Sequence, residues 1–194
     1  MAINQIDFIQ KIESKVKCII DSSDNKSINI IIEHLSYLVS ECKMTLDSTK
    51  NKQLQYETKK KNNNKPTPHP IQVERGCIYN AQITAGVGSE LKGNHLVIII
   101  QNKNGNIFAE KVNAVVIEGD GNKINPKYQI QLSNVDLTDG SLNKDPSRVI
   151  PTEVITIDKA RIGRYVGRIS PEKMKEIDMK IISKLSFEKY IKKH

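Results

Sequence analysis

The chain has 194 residues, of which 38% are hydrophobic and only 5% aromatic, with no tryptophan. This length accommodates one ordinary domain and a smaller appendage, and the composition requires an aliphatic core. The net charge of +8 favours acidic partners such as nucleic acid or an acidic protein, although a lysine-rich proteome produces the same balance. No apolar run approaches the roughly 20 residues of a membrane span, so no membrane partner is expected.

The cysteines and the N-terminus bear on the cellular compartment. The three cysteines form no CxxC pair and no metal-ligand spacing. The first residues lack the basic and apolar segments of a secretory signal. Both features favour a reducing, cytoplasmic location.

The first part of the chain has apolar residues at helical spacing. Residues 3–20 and 26–58 place isoleucine, leucine and valine three or four positions apart, which predicts two helices. The polar residues 22–25 interrupt the pattern and offer an N-cap for the second helix. Two helices joined by a short turn predict an antiparallel helical hairpin over residues 1–58. Its apolar stripe should pack on the rest of the chain, on a second copy or on a partner.

Residues 59–73 are predicted to form a linker. They are polar and basic, and they contain three prolines. Such a segment buries too little apolar area to offset the entropy of ordering it. The functional alternative is a basic arm that touches phosphates.

From residue 71 onward the pattern changes to short strands separated by turns rich in Gly, Asn and Asp. Ser170 as N-cap and Pro171 at the first helical position then predict a C-terminal helix. After the helical hairpin and the linker, residues 74–194 are therefore predicted to form an α+β domain. The predicted strands are 75–83, 95–101, 107–117, 127–133, 148–150 and 153–157.

Four islands follow one another in this domain: Arg75-Gly76-Cys77-Ile78-Tyr79, Gly88-Ser89-Glu90, Val97–Asn102 and Thr156–Ile162. Together they resemble the MazF/PemK family of type II toxin–antitoxin endoribonuclease toxins over about residues 74–187. The resemblance implies a small SH3-like β-barrel with a C-terminal helix, a homodimer, and an RNA groove at the dimer surface. It also implies cleavage of single-stranded RNA, such as mRNA, without a metal or other cofactor. An antitoxin would restrain the toxin, or the N-terminal hairpin would do so within the same chain.

The chain departs from the family at the positions that carry its chemistry. The usual Arg falls on His95, and the usual Thr or Ser falls on Glu118. The acid of the first strand becomes Cys77, and two further family positions fall on Glu153 and Ile155. These exchanges change the charge and the hydrogen-bonding geometry of each position.

His95 and Glu118 are the predicted catalytic residues. A glutamate can take the proton of the ribose 2′-OH, an imidazolium can protonate the leaving 5′-oxygen, and Lys92 can supply positive charge. A carboxylate at this place would repel phosphate unless it is protonated or paired. Two alternatives stay open, a nuclease that uses other residues and a relative without activity.

Basic residues predict the nucleic-acid-binding surface, because lysine and arginine neutralise phosphates. Tyr165, which lies among them, can stack on an unpaired base or pack inside the barrel. The predicted binding residues are Arg75, Lys92, Lys159, Arg161, Arg164 and Arg168.

Three functions remain after the sequence analysis. The first is a cytoplasmic, metal-independent endoribonuclease toxin with diverged chemistry. The second is a catalytically inactive MazF-like module that binds nucleic acid or protein. The third is a structural or regulatory partner encoded in a toxin–antitoxin or defence operon.

Overall fold

The computed structural model describes residues 5–21, 24–83 and 89–187. The chain divides into two compact units, residues 1–42 and 43–194. Its helices are α1 Gln5–Asp21, α2 Asn25–Lys61, α3 Lys103–Phe108 and α4 Pro171–Lys184. Its strands are β1 Cys77–Ile83, β2 Gly93–Ile99, β3 Lys111–Glu118, β4 Ile130–Leu132, β5 Leu137–Gly140, β6 Ser147–Asp158 and β7 Ile162–Ile169.

The two N-terminal helices follow the predicted apolar periodicity. Asp24 precedes α2 and accepts a hydrogen bond from the Ser27 amide at 2.7 Å, which satisfies one of the donors that a helix start leaves open. Many apolar side chains among the described residues of both helices are exposed, Ile12 at 45% and Val39 at 71% among them, and α2 has no buried residue. Among the helices of the described residues, none has both the length and the apolarity needed to cross a membrane.

The structure differs from the predicted domain boundaries at residues 59–73. The helix α2 continues to Lys61, and the second unit already begins at Lys43. Thr67, His69 and Val73 are buried, and the His69 amide donates to the Ile107 carbonyl at 2.8 Å. The prolines of this segment carry no N–H, so few backbone donors need partners when it packs on the domain. Composition alone could not reveal that packing.

The second unit is built on one antiparallel sheet. Its seven strands have the order β4-β6-β3-β2-β1-β7-β5, with β4 and β5 at the edges. A register shift in the pairing of β3 with β6, next to Pro151, bends the long strand β6. The result is a curled half-barrel, and the α+β fold class predicted from the sequence is confirmed.

Both faces of the sheet carry an apolar core. One core contains Ile78, Ile98 and Val115, and α4 covers it with Met174 and Ile177. Full burial of a side chain such as Ile177 contributes about 1.5–3 kcal/mol. The other core lies on the opposite face, because successive residues of a strand alternate between faces. It contains Val73, Ala81, Ile83, Val97, Ile99, Val112, Ala114, Val116 and Ile157.

Helix α4 begins as its sequence predicts. The Ser170 hydroxyl accepts from the Lys173 amide at 3.2 Å, and Pro171 occupies the first helical position. Other elements differ from the prediction. The predicted strands 148–150 and 153–157 form one strand, β6, while α3, β5 and β7 were not predicted.

Candidate active site

Four polar side chains stand in one row across the sheet at the end of β3. The register of β2 on β3, continued by one residue, places His95 opposite Glu118. Glu118 lies opposite Arg148 of β6, and Arg148 lies opposite Gln131 of β4. Directly opposed residues project from the same face with Cβ atoms about 4.5–5.5 Å apart. We refer to His95, Glu118, Arg148 and Gln131 as the site row.

Arg148 holds the Glu118 carboxylate through two N–H groups. Nε donates to Oε2 at 2.7 Å, and Nη2 lies 2.5 Å from the same oxygen. The two side chains are 26% and 30% exposed, so water screens their attraction only in part. The pair has no net charge, which removes the repulsion that an unpaired carboxylate would exert on a phosphate. Because both contacts involve Oε2, Oε1 of Glu118 remains able to accept a proton.

The imidazole of His95 is oriented by its own loop. Its Nε2 lies 2.9 Å from the Lys92 carbonyl oxygen, which can only accept a hydrogen bond. This contact assigns the proton to Nε2 and makes Nδ1 the acceptor of the neutral ring. Nδ1 is therefore the nitrogen that can exchange a proton with a ligand. Lys92, which was predicted to supply positive charge, is exposed beside it.

Three members of the site row, His95, Glu118 and Arg148, border an open hollow of ≈ 550 Å³. This volume lies within the usual range of small-ligand clefts, about 300–1,000 Å³. Lys144 and Arg148 bring positive charge to the hollow, and three asparagines bring amide groups that can donate to phosphate or base atoms. His95 and Glu118 both line it. Its lining comprises Asn80, Asn94, His95, Leu96, Ile117, Glu118, Gly119, Asp120, Asn143, Lys144, Ser147 and Arg148.

Lys159, which was predicted to belong to the basic surface, does not lie on the surface. Lys159 is completely buried, and its Nζ donates to the Asn106 carbonyl at 2.5 Å. Burial lowers the pKa of Lys159 to about 8. The side chain therefore supports the fold between the short turn after β6 and α3, and it cannot contact RNA. The spacing of lysine and arginine in the sequence did not distinguish this buried position from exposed ones.

The other predicted binding residues lie on the surface or partly buried, and none of them lines the hollow as the structure describes it. Arg75 pairs with Asp178 of α4 at 2.5 Å, and Arg168 pairs with Glu74. Arg161 donates to the Gln82 carbonyl at 3.2 Å, and Arg164 is exposed. Of the motif Gly88-Ser89-Glu90, Gly88 lies outside the described residues.

Sequence reasoning missed Arg148 and Lys144. Arg148 lies in a segment that was predicted as a strand, where it alternates with the buried residue Val149. That alternation assigns Arg148 to one face of the sheet, but its partner Glu118 is known only once β6 is paired with β3. Lys144 lies in a loop, and no local pattern points from it to the hollow.

Comparison with known proteins identifies relatives of the second unit. The family model described as "PemK-like, MazF-like toxin of type II toxin-antitoxin system" matches residues 74–185. An endoribonuclease MazF from Staphylococcus saprophyticus is 31% identical over 106 residues, which cover 55% of this chain and 85% of that protein. The solved structure of MazF from Deinococcus radiodurans is similar with a TM-score of 0.50 and 14% identity, covering 60% of this chain and 98% of the other. At that identity the likeness concerns the fold.

Proposed function

Because the chain belongs to the family of PemK-like, MazF-like toxins of type II toxin–antitoxin systems, we propose that it is an endoribonuclease that cuts single-stranded RNA without a metal ion. Its substrate would be mRNA in the cytoplasm. The observation that carries the proposal is the site row, in which His95, Glu118 and Arg148 are neighbours beside one hollow.

The site row has the groups that RNA cleavage by the 2′-hydroxyl requires. Oε1 of Glu118 accepts the 2′-OH proton while O2′ forms a bond to phosphorus. Protonated His95 donates from Nδ1 to the 5′-oxygen as the P–O5′ bond breaks. The products are a 2′,3′-cyclic phosphate and a free 5′-hydroxyl. Arg148 and Lys144 stabilise the charge on the phosphorane oxygens. In other nucleases a metal ion has this role.

The proposal includes the assembly of the protein. Family membership favours a homodimer and an antitoxin that covers the RNA groove. Restraint by the chain's own N-terminal helices is the second arrangement. Deletion of residues 1–42 distinguishes the two, because only restraint within the chain predicts that the deletion raises activity.

One contact favours the alternative of a binding module without catalysis. Arg148 approaches Oε2 of Glu118 with two donors, so this carboxylate already has a partner in the fold. In that case the hollow would still bind the RNA backbone through Lys144 and the asparagines. RNA binding without cleavage would identify this function.

The test is cleavage of mixed-sequence single-stranded RNA in EDTA by the wild type and by His95→Ala/Glu118→Gln. General acid–base groups typically contribute 10²–10⁴-fold each, so we expect the double variant to lose at least about 10²-fold in rate. The matched control is Glu13→Gln/His34→Ala, which makes the same exchanges at exposed positions of α1 and α2. Equal rates of the wild type and the double variant would reject this site. Loss of wild-type activity in EDTA would reject metal independence.

A further inference from the structure

Two tyrosines stand against each other on the sheet. Tyr79 of β1 lies opposite Tyr165 of β7, with ring centroids 5.6 Å apart and the planes at 71°. This is the edge-to-face arrangement that aromatic pairs prefer. The described strands contain no other tyrosine and no phenylalanine or tryptophan. Tyr79 is partly buried, whereas Tyr165 is 41% exposed.

Tyr165 is fixed at both ends. Its ring makes the edge-to-face contact with Tyr79, and its hydroxyl donates to Oδ2 of Asp139 at 2.8 Å. Burial and this hydrogen bond raise the pKa of Tyr165 to about 12, so the phenol stays neutral at any physiological pH. A ring that is already ordered loses little entropy when a ligand stacks on it.

The tyrosine pair lies on the same face of the sheet as the site row. Tyr79 pairs with Val97, and His95 is two residues from Val97 on the same strand. Residues in this diagonal relation lie about 7–8 Å apart. Tyr165 is one strand further away, which adds about 4.8 Å. On these spacings the exposed ring of Tyr165 lies within about 13 Å of His95.

A cation lies beside the exposed ring. Arg168 stands opposite Cys77, which is two residues before Tyr79 on β1, and the pair Ile78–Gly167 lies between the two. Its carboxylate partner Glu74 is 69% exposed, and ion pairs at the surface are weak and readily exchanged. The guanidinium has five donors, so it can bind a phosphate in addition to Glu74 or in its place.

We propose that Tyr165 is a stacking platform for the base of a nucleotide next to the scissile phosphate, with Arg168 binding the backbone of that nucleotide. The inference rests on the proposed function, because it takes the substrate to be single-stranded RNA. It adds a binding subsite that contacts a base through its π-face and is tolerant of sequence. Tyr165 takes no part in proton transfer.

Binding of RNA that cannot be cut tests the subsite. The probe is a fluorescent 2′-O-methyl oligoribonucleotide, and its affinity is measured by fluorescence anisotropy for the wild type, Tyr165→Leu and Tyr165→Phe. Loss of one base stack should weaken binding roughly 5- to 100-fold in Tyr165→Leu. Tyr165→Phe keeps the ring and loses only the contact with Asp139, so its affinity should stay within about 3-fold of the wild type.

Abasic substitution of the probe, one position at a time, locates the stacked base. At one position, removal of the base should lower the affinity of the wild type to the value that Tyr165→Leu has for the intact probe. The same removal should leave the affinity of Tyr165→Leu unchanged, because that variant has already lost the base stack. If circular dichroism shows that Tyr165→Leu does not fold, a second measurement uses the wild type alone. A probe with 2-aminopurine at the position of the stacked base should lose fluorescence when the wild type binds it. Unchanged affinity of Tyr165→Leu, or no quenching at any position, would overturn the inference.

The outcomes separate this inference from the proposed function. RNA binding that depends on Tyr165, in a protein that does not cleave RNA, would support the subsite and reject the nuclease. RNA cleavage by a protein whose RNA affinity does not change in Tyr165→Leu would support the nuclease and reject the subsite. Failure of the wild type to bind the probe would overturn both.

Discussion

Lys159 shows how the fold uses a cation that the sequence suggests for RNA. Its ammonium group is buried beside the Asn106 carbonyl, and burial lowers its pKa to about 8. In the unfolded chain a lysine titrates near pH 10.4. Between these values the unfolded chain holds the proton and the folded chain does not. The free energy of unfolding should therefore rise as the pH rises from about 8 to 10.

We expect Lys159→Met to remove this rise. Urea denaturation at pH 7, 8, 9 and 10 gives the free energy of unfolding of the wild type and the variant, and their difference isolates Lys159 from other titrating groups. The control is Lys111→Met, at an exposed position of β3, which should keep the wild-type slope. A difference that does not change with pH would show that Lys159 stays protonated in the fold.

Single residues also show which part of the site could be predicted. His95 and Glu118 were selected because they fall where the family carries its chemistry, and the structure places them side by side. Their assignment as catalytic residues stays a prediction. Arg148 could not be selected, because its role depends on a pairing between strands that are 30 residues apart. Burial of Lys159 depends on tertiary packing, which a count of charges does not contain.

At the scale of elements, the edge strand β5 depends on one glycine. Gly140 has a φ of +78° and lies opposite Gly167 of β7. A Cβ at Gly140 would overlap the Val166 carbonyl oxygen. We expect Gly140→Ala to lower the free energy of unfolding by about 1–3 kcal/mol from backbone strain, with a further loss from this overlap.

Urea denaturation measures the effect of Gly140→Ala on the free energy of unfolding. A shift of the midpoint with an unchanged dependence on urea concentration reports a change in stability. Gly163→Ala is the matched control, since it lies in β7 and its Cβ would come no closer than 3.3 Å to the Asn80 carbonyl oxygen. It should change stability by less than about 1 kcal/mol. Equal stability of Gly140→Ala and the wild type would mean that β5 adapts its backbone.

The elements that the sequence predicted are those with a regular apolar period. Helices α1, α2 and α4 and strands β1, β2 and β3 all combine such a period with clear end signals. The missed elements do not. β7 alternates apolar residues with glycine and arginine, β5 has four residues, and α3 has six. Their conformation comes from pairing and packing, which local propensity does not encode.

At the scale of the whole molecule, the unit boundary within α2 predicts where the chain can be shortened. The part of α2 after Lys43 contacts the half-barrel. Ser48 donates to Asp158 at 2.8 Å, Lys52 pairs with Glu110 at 2.7 Å, and Gln55 donates to the Thr67 carbonyl at 2.7 Å. A chain that starts at Lys43 keeps these contacts, and a chain that starts at Asn62 loses them.

We expect the chain that starts at Lys43 to melt within about 2 °C of the full-length protein, because the second unit keeps its contacts. The chain that starts at Asn62 should melt lower by several degrees, since about 1 kcal/mol shifts the melting temperature of a domain of this size by about 2–8 °C. Differential scanning calorimetry of the three proteins measures this. Identical melting of both shortened chains would show that α2 adds nothing to the unit.

The site row is assembled from opposed positions on four neighbouring strands, β2, β3, β6 and β4. Backbone pairing fixes where each side chain leaves the sheet, whichever side chain it is. Under the proposed function, one pair of proton-transfer groups can thus be exchanged for another by substitutions that leave this pairing in place. Diversity of reaction chemistry on this scaffold would then arise by exchange of functional groups, without remodelling of any loop.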